Sequence, residues 1–207
     1  MEWADIAAYA DWIGLRPMSE LEYEKAARGT RSAVPNEGAW GTPFVGMNTF
    51  NITDVGEPNS MITNLPFDVG NANTSTQANR PLRCGIFAAS AINKTREETG
   101  GSYYGVMELS GNLSEPIITV GRAEGRNFNG ANHGDGVITF AGEGNVATWP
   151  LSSPNAGAGL YATGTGFKGG GFGNIFQRCT ISNRFLVNSS IDAKFGNSGM
   201  RLVRTAP

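Results

Sequence analysis

Hydrophobic and polar positions set a clear period in two places only. Over residues 3–13, "WADIAAYADWI", apolar positions recur at helical spacing and Gly14 stops the pattern, which predicts a first helix. In "PMSELEYEKAARG", Ser19 stands as an N-cap and Glu22, three residues on, completes a capping box. Met18 and Tyr23 have the spacing of a hydrophobic staple. Glu20 and Glu22 suit the positive end of a helix dipole, Lys25 and Arg28 the negative end, and Gly29 ends it. Two helices are therefore predicted within the first thirty residues.

Beyond them the period weakens. Residues 30–100 read mostly as loop, with "PLRCGIFA" as a short strand. A loop of that length is unusual in a compact domain and often functional. "YGVMELS" reads as a turn leading to the strand "EPIITVG", and another Gly/Asn-rich excursion runs to Pro150. The C-terminal part predicts two or three short strands. In "TISNRFLV", alternation puts Ile181, Asn183, Phe185 and Val187 on one face and Ser182, Arg184 and Leu186 on the other. No repeat and no second boundary is evident, so residues 1–207 are expected to form one α+β domain.

Composition sharpens this. Hydrophobic residues make up 40% and charged residues only 16%, while Gly numbers 29, about twice its usual ~7% share. Such a chain is rich in turns. A net charge of -2 gives no reason to expect nucleic acid or an anionic membrane as partner. No apolar run is long enough for membrane insertion, and the acidic N-terminus has no signal-peptide character. Cys84 and Cys179 do not make a disulfide framework and read as buried thiols, with a bridge as the alternative. His133, the single histidine, reads as a solvated loop residue and excludes a multi-histidine metal site. "GTGFKGGG" lacks the spacing of a phosphate loop. Glu108 and Glu115 have the chemistry of an acid/base pair, but only proximity singles them out. Trp3, Trp12, Trp40 and Trp149 read as core or loop anchors.

Several blocks together carry a resemblance. "YADWIGLRPMSELEYEKAARG", "AWG", "YYGVMELSGNLSEP", "GFKGGGF", "CTISNR" and "SGMRLVR" occur in the order of the corresponding blocks of the formylglycine-generating-enzyme (sulfatase-modifying factor) domain. The chain resembles that family over most of its length. The resemblance implies a C-type-lectin-like α+β fold, with two helices and a small twisted, mainly antiparallel sheet under elaborate loops. The family's opening strand segment has no counterpart here. That implies a fragment, or a sheet completed by another segment.

The resemblance also frames the chemistry. Members that make formylglycine bind copper through two cysteines five positions apart, a donor set that suits soft Cu(I). Counted from Lys168, those positions hold Asn174 and Cys179, so copper is not expected; the histidine-bound iron of sulfoxide-synthase relatives is not expected either, because His133 is the single histidine. The family's structural calcium site implies Asn112 and Glu115 as oxygen ligands, with Ser114 and Pro116 where aromatics are usual; the alternative is that both side chains hydrogen-bond backbone groups of the turn. Arg184 and Arg201 match arginines that knit the core. Some relatives are display proteins of bacterial or phage surfaces, and variable proteins among them diversify their C-terminal segment. A non-catalytic surface domain is thus expected, extracellular or on a virion, taking a protein or glycan ligand through Asn174, Phe176, Asn183, Phe185, Asn188 and Asn197. The alternatives are a formylglycine-type oxidase and a subunit of a homomeric assembly.

Overall fold

The structure is a computed structural model, and it describes residues 1–150, 162–191 and 196–206. The chain divides into two compact units. Unit 1 comprises Met1–Tyr23, Glu115–Lys168 and Arg184–Pro207; unit 2 comprises Glu24–Ser114 and Gly169–Asn183.

Unit 1 opens with α1 (Trp3–Trp12). Glu2 and Asp5 cap it reciprocally, and Gly14 lies in the left-handed region just beyond its end. Its inner face buries Trp3 and Ile6 with Ile118, Phe167 and Ile191. Ala7 and Ala10 pack with Trp149. Strand β1 (Arg16–Pro17) pairs antiparallel with β6 (Leu202–Val203), Arg16 opposite Val203. Strand β4 (Glu115–Ile118) is wholly buried and pairs antiparallel with β5 (Thr165–Lys168), from Glu115 opposite Lys168 to Ile118 opposite Thr165. Ile118 also bridges Ser19 in parallel. A short helix, α4 (Ala123–Arg126), follows β4.

Helix α2 (Glu20–Arg28) contains the boundary between the units. Its capping box forms as the sequence predicts: Ser19 N–H donates to Glu22 Oε2 at 2.9 Å and Glu22 N–H donates to Ser19 Oγ at 3.3 Å. Met18 and Tyr23 are both buried.

Unit 2 holds β2 (Ile52–Thr53) antiparallel to β3 (Met61–Ile62), then α3 (Ile86–Ser90) and α5 (Phe176–Cys179). Phe50, Ile62, Ile86 and Phe87 make one core, and Trp40, Ala72, Phe176 and Cys179 another. Trp40 lies over Gly70, where a Cβ would meet the indole at 1.8 Å, and stacks on Phe176 with ring centroids 5.6 Å apart. Only glycine fits beneath that ring.

Several expectations are corrected. "PLRCGIFA" is not a strand: Gly85, at φ 77, turns the chain into α3. "TISNRFLV" runs as turns rather than as a strand, with Asn183 N–H donating to Thr180 O and Ser189 N–H to Leu186 O. Ile181 and Val187 are buried while Phe185 is 65% exposed, so the inferred common face does not exist. Trp12 is 60% exposed and anchors no core. Cys84 is exposed; only Cys179 is buried. His133 is half-buried and accepts a hydrogen bond from Thr205 N–H at 2.9 Å.

Candidate functional site

The segment from Tyr103 to Ser114 carries an unusual density of left-handed backbone. Gly105, Glu108, Gly111 and Asn112 all have positive φ. For Glu108 and Asn112 this conformation costs about 1–2 kcal/mol each relative to ordinary backbone, less for asparagine. It aims three polar side chains inward. Ser110 Oγ accepts from Ala39 N–H at 2.9 Å. Glu108 Oε1 accepts from Gly85 N–H at 3.0 Å. Asn112 Oδ1 accepts from Leu82 N–H at 2.8 Å, and Asn112 Nδ2 donates back to Leu82 O at 3.0 Å.

Asn73 joins this set. It is fully buried, and its Nδ2 donates to Arg80 O at 2.8 Å and to Asn112 Oδ1 at 3.1 Å. Asn112 N–H returns the contact to Asn73 O at 2.7 Å. A Cβ at Gly111 would stand 2.5 Å from that same Asn73 oxygen, so the close approach requires glycine. Three buried side chains, Asn73, Glu108 and Asn112, thus grip one backbone stretch, residues 80–85, "RPLRCG".

The gripped loop borders a cavity of about 450 Å³. Arg80, Leu82 and Arg83 contribute from the loop, Ile86 from α3, and Ile52, Val55, Glu57 and Ser60 from β2 and the turn after it. Arg83 Nη2 donates to Ser60 O at 2.7 Å. Arg83 Nε is shielded from solvent and meets no acceptor among the described residues. Sequence reasoning did not find this site. Its only local trace is the pair of arginines around "PL".

The residues implicated by the resemblance fall elsewhere. Asn112 Oδ1 already receives two N–H donors. Glu115, buried in unit 1, faces Arg201 Nη2 at 3.3 Å. An amide oxygen with both lone pairs engaged and a carboxylate opposed by a guanidinium do not fit calcium as arranged. Among the described residues no group of three or more His, Cys, Asp or Glu side chains is placed to hold a metal ion.

The six proposed contact residues divide between the units. Phe176 is buried against Trp40 and is corrected from a contact residue to a core residue. Asn174 Oδ1 accepts from Gly171 N–H, and Asn183 Nδ2 donates to Gln177 O, so both amides brace their own turns. Phe185 and Asn188 are exposed in unit 1, and Asn197 is half-buried there. Asn188 Oδ1 accepts from Thr119 Oγ1 at 3.3 Å.

Electrostatically, the best-defined group is Glu20. Arg184 Nε and Nη2 reach its two oxygens at 2.6 and 3.0 Å, and Val120 N–H donates at 3.2 Å. Burial alone would raise the Glu20 carboxyl; the Arg184 and Val120 hydrogen bonds outweigh it and hold the group below its ordinary value. Glu22 is lowered similarly, with Arg16 and Ser19 outweighing burial. Both ion pairs lie within unit 1.

No curated protein matches the chain. The family model of the sulfatase-modifying factor enzyme 1-like domain matches residues 1–206. The early capped helices, the antiparallel strand pairs and the inward-facing polar turn from Tyr103 to Ser114 therefore belong to one known α+β design: the chain is a member of the sulfatase-modifying factor enzyme 1-like family.

Proposed function

We propose that this chain is a non-catalytic binding domain of its family, displayed on a bacterial or phage surface and recognising a protein or glycan. The observation that carries the reading is the residue pair 174/179. Asn174 replaces the first copper-binding cysteine and spends its amide on the Gly171 turn. Cys179 is fully buried beside Trp40, Ala72 and Phe176, and its Sγ lies 3.6 Å from Ile175 O. One thiol in a packed core is not the exposed two-thiolate set that Cu(I) and a thiol substrate require. The test is incubation with Cu(I) and a cysteine-containing sulfatase peptide under oxygen. No aldehyde product is expected; turnover that Cys179→Ser abolishes would establish the oxidase instead.

A second reading, a subunit of a homomeric surface assembly, is favoured by one observation. In unit 1, Tyr9, Trp12, Val137 and Phe140 are all exposed, and α1 borders an open groove of about 460 Å³ with residues 138–143. Exposed aromatic clusters are a common mark of association. Light scattering decides: if the surface is an interface, the wild type exceeds the monomer mass and the double variant Trp12→Ser, Phe140→Ser returns to it. A monomeric wild type across the micromolar range removes this reading.

A further inference from the structure

We propose that Asn129 is a self-modifying site: its side chain closes on Gly130 N and opens to aspartate or isoaspartate, and the change loosens the C-terminal segment. Asn129–Gly130 is the one Asn-Gly pair in the chain. Glycine has no Cβ to shield its nitrogen, so a neighbouring carboxamide approaches it closely. Asn129 is exposed, and its Oδ1 accepts from Ala131 N–H at 2.9 Å. That turn folds the carboxamide back over the Gly130 peptide and polarises its carbonyl. Gly130 N–H donates to no acceptor among the described residues, so no hydrogen bond has to break before the nitrogen reacts. Asn129 Nδ2, the leaving group, has no acceptor there either.

The chemistry needs only water. Hydroxide takes the Gly130 N–H proton, Gly130 N bonds to Asn129 Cγ, and the Cγ–Nδ2 bond breaks. Nδ2 leaves as ammonia with a proton from water, which restores the hydroxide. Water then opens the cyclic imide: cleavage at Cγ–N gives aspartate, and cleavage between Asn129 C and Gly130 N gives isoaspartate.

The same loop holds a contrast. Asp135–Gly136 has the same turn, with exposed Asp135 accepting from Val137 N–H at 2.9 Å through Oδ1. There, however, Gly136 N–H donates to Asp11 O at 3.0 Å, and Asp135 N–H donates to Asp11 Oδ1 at 3.0 Å. Asp11 is fully buried in α1, so that glycine nitrogen is pinned. The unbonded nitrogen is what sets Asn129 apart.

The consequence falls on the chain's last strand. Thr205, just past β6, donates from Oγ1 to Gly130 O at 2.9 Å and from N–H to His133 Nε2 at 2.9 Å. Arg16 Nε and Nη2 reach the same Oγ1 at 3.1 and 3.0 Å. All of these residues belong to unit 1. Isoaspartate lengthens the main chain by one carbon just before Gly130, so Gly130 O cannot keep its place on Thr205. The inference rests on neither reading of function above.

The test is peptide mass mapping of the full chain held in warm, mildly alkaline buffer, folded and in urea. Aspartate and isoaspartate at position 129 are expected to accumulate ahead of conversion at the other asparagines. Folding should slow Asp135 isomerisation at least about tenfold relative to urea, and Asn129 conversion by less than about threefold. Gly130→Ala should slow conversion at Asn129 at least about tenfold. Gly130 lies outside the left-handed region, and an alanine Cβ would stand 3.4 Å from Arg16 Cζ, an ordinary contact, so the variant keeps its fold. Asn129→Gln, whose closure needs a larger ring, gives the same loss by a second route. The converted protein should unfold about 2–4 °C lower, and its Thr205 N–H should exchange faster. Folding that protects Asn129 as much as Asp135, a Gly130→Ala rate equal to wild type, or converted protein with an unchanged unfolding temperature would each overturn the proposal.

Discussion

Replacing Asn112 with alanine is expected to lower the unfolding free energy by about 3–5 kcal/mol, a large share of the ~5–15 kcal/mol typical of a domain. Three side-chain hydrogen bonds disappear together. Leu82 N–H and Leu82 C=O lose their partner, and so does one Asn73 amide donor. Orphaned buried groups cost about 1–3 kcal/mol each. Alanine also tolerates φ 65 less well than asparagine. Asn112→Gly separates the two contributions, because it relieves the backbone term and leaves the hydrogen bonds missing. Glycine should recover about 1 kcal/mol of the loss and no more. Urea titration gives both values, and hydrogen exchange at Leu82 N–H should accelerate with the same variants. A loss below about 1 kcal/mol for alanine would mean that the loop is held by something other than this amide.

Arg184→Met is expected to cost about 1–3 kcal/mol at neutral pH, because Arg184 is half exposed, and to weaken the acid response of unit 1. Glu20 is only 2% exposed, so without its guanidinium partner a carboxylate is left desolvated. The sign follows from linkage. In the wild type the folded-state pKa of Glu20 lies below the ordinary 4.5, so its stabilisation is present above that value and fades as pH falls through the folded pKa. Glu22 acts in the same direction. In the Met variant the Arg184 part of that lowering is lost while the Val120 hydrogen bond and the Lys168 charge remain, so the Glu20 contribution to the pH slope should shrink. Thermal unfolding between pH 4 and pH 7 distinguishes the two slopes. Pairing the variant with Glu20→Gln should restore part of the loss, because the buried charge is gone. Parallel slopes in wild type and variant would refute the coupling.

The fold was legible where its determinants are local. The Ser19–Glu22 capping box and the Gly14 and Gly29 stops are contained within a few residues, and α1 and α2 follow from them. Strand β4 was legible because "EPII" is apolar and bounded. The misreadings share a cause. "PLRCGIFA" is short and apolar, a pattern that strand and helix share, and its conformation is imposed from Asn73, Glu108 and Asn112, which lie 7 to 30 positions away in sequence. "TISNRFLV" alternates like a strand but folds as turns, which hydrogen-bond part of its backbone locally. α5 is too short to show a period. The cavity was invisible for the same reason: its walls are brought together by contacts of long range. The polar residues of "YYGVMELSGN" were visible from the start, but not the segment that Glu108 and Asn112 hold.

The hydrogen bonds from Asn73, Glu108 and Asn112 to "RPLRCG" described above go to main-chain atoms: Arg80 O, Leu82 N–H and C=O, and Gly85 N–H. They therefore read shape and not spelling. Proline is barred at positions 82 and 85, where an N–H is needed, and position 85 requires a residue that accepts φ 77. The side chains of positions 80 and 83 take no part in those bonds. A loop fixed in this way can exchange its side chains while keeping its path. Substitution at positions 80 and 83 can thus change the surface of the loop while its path stays the same.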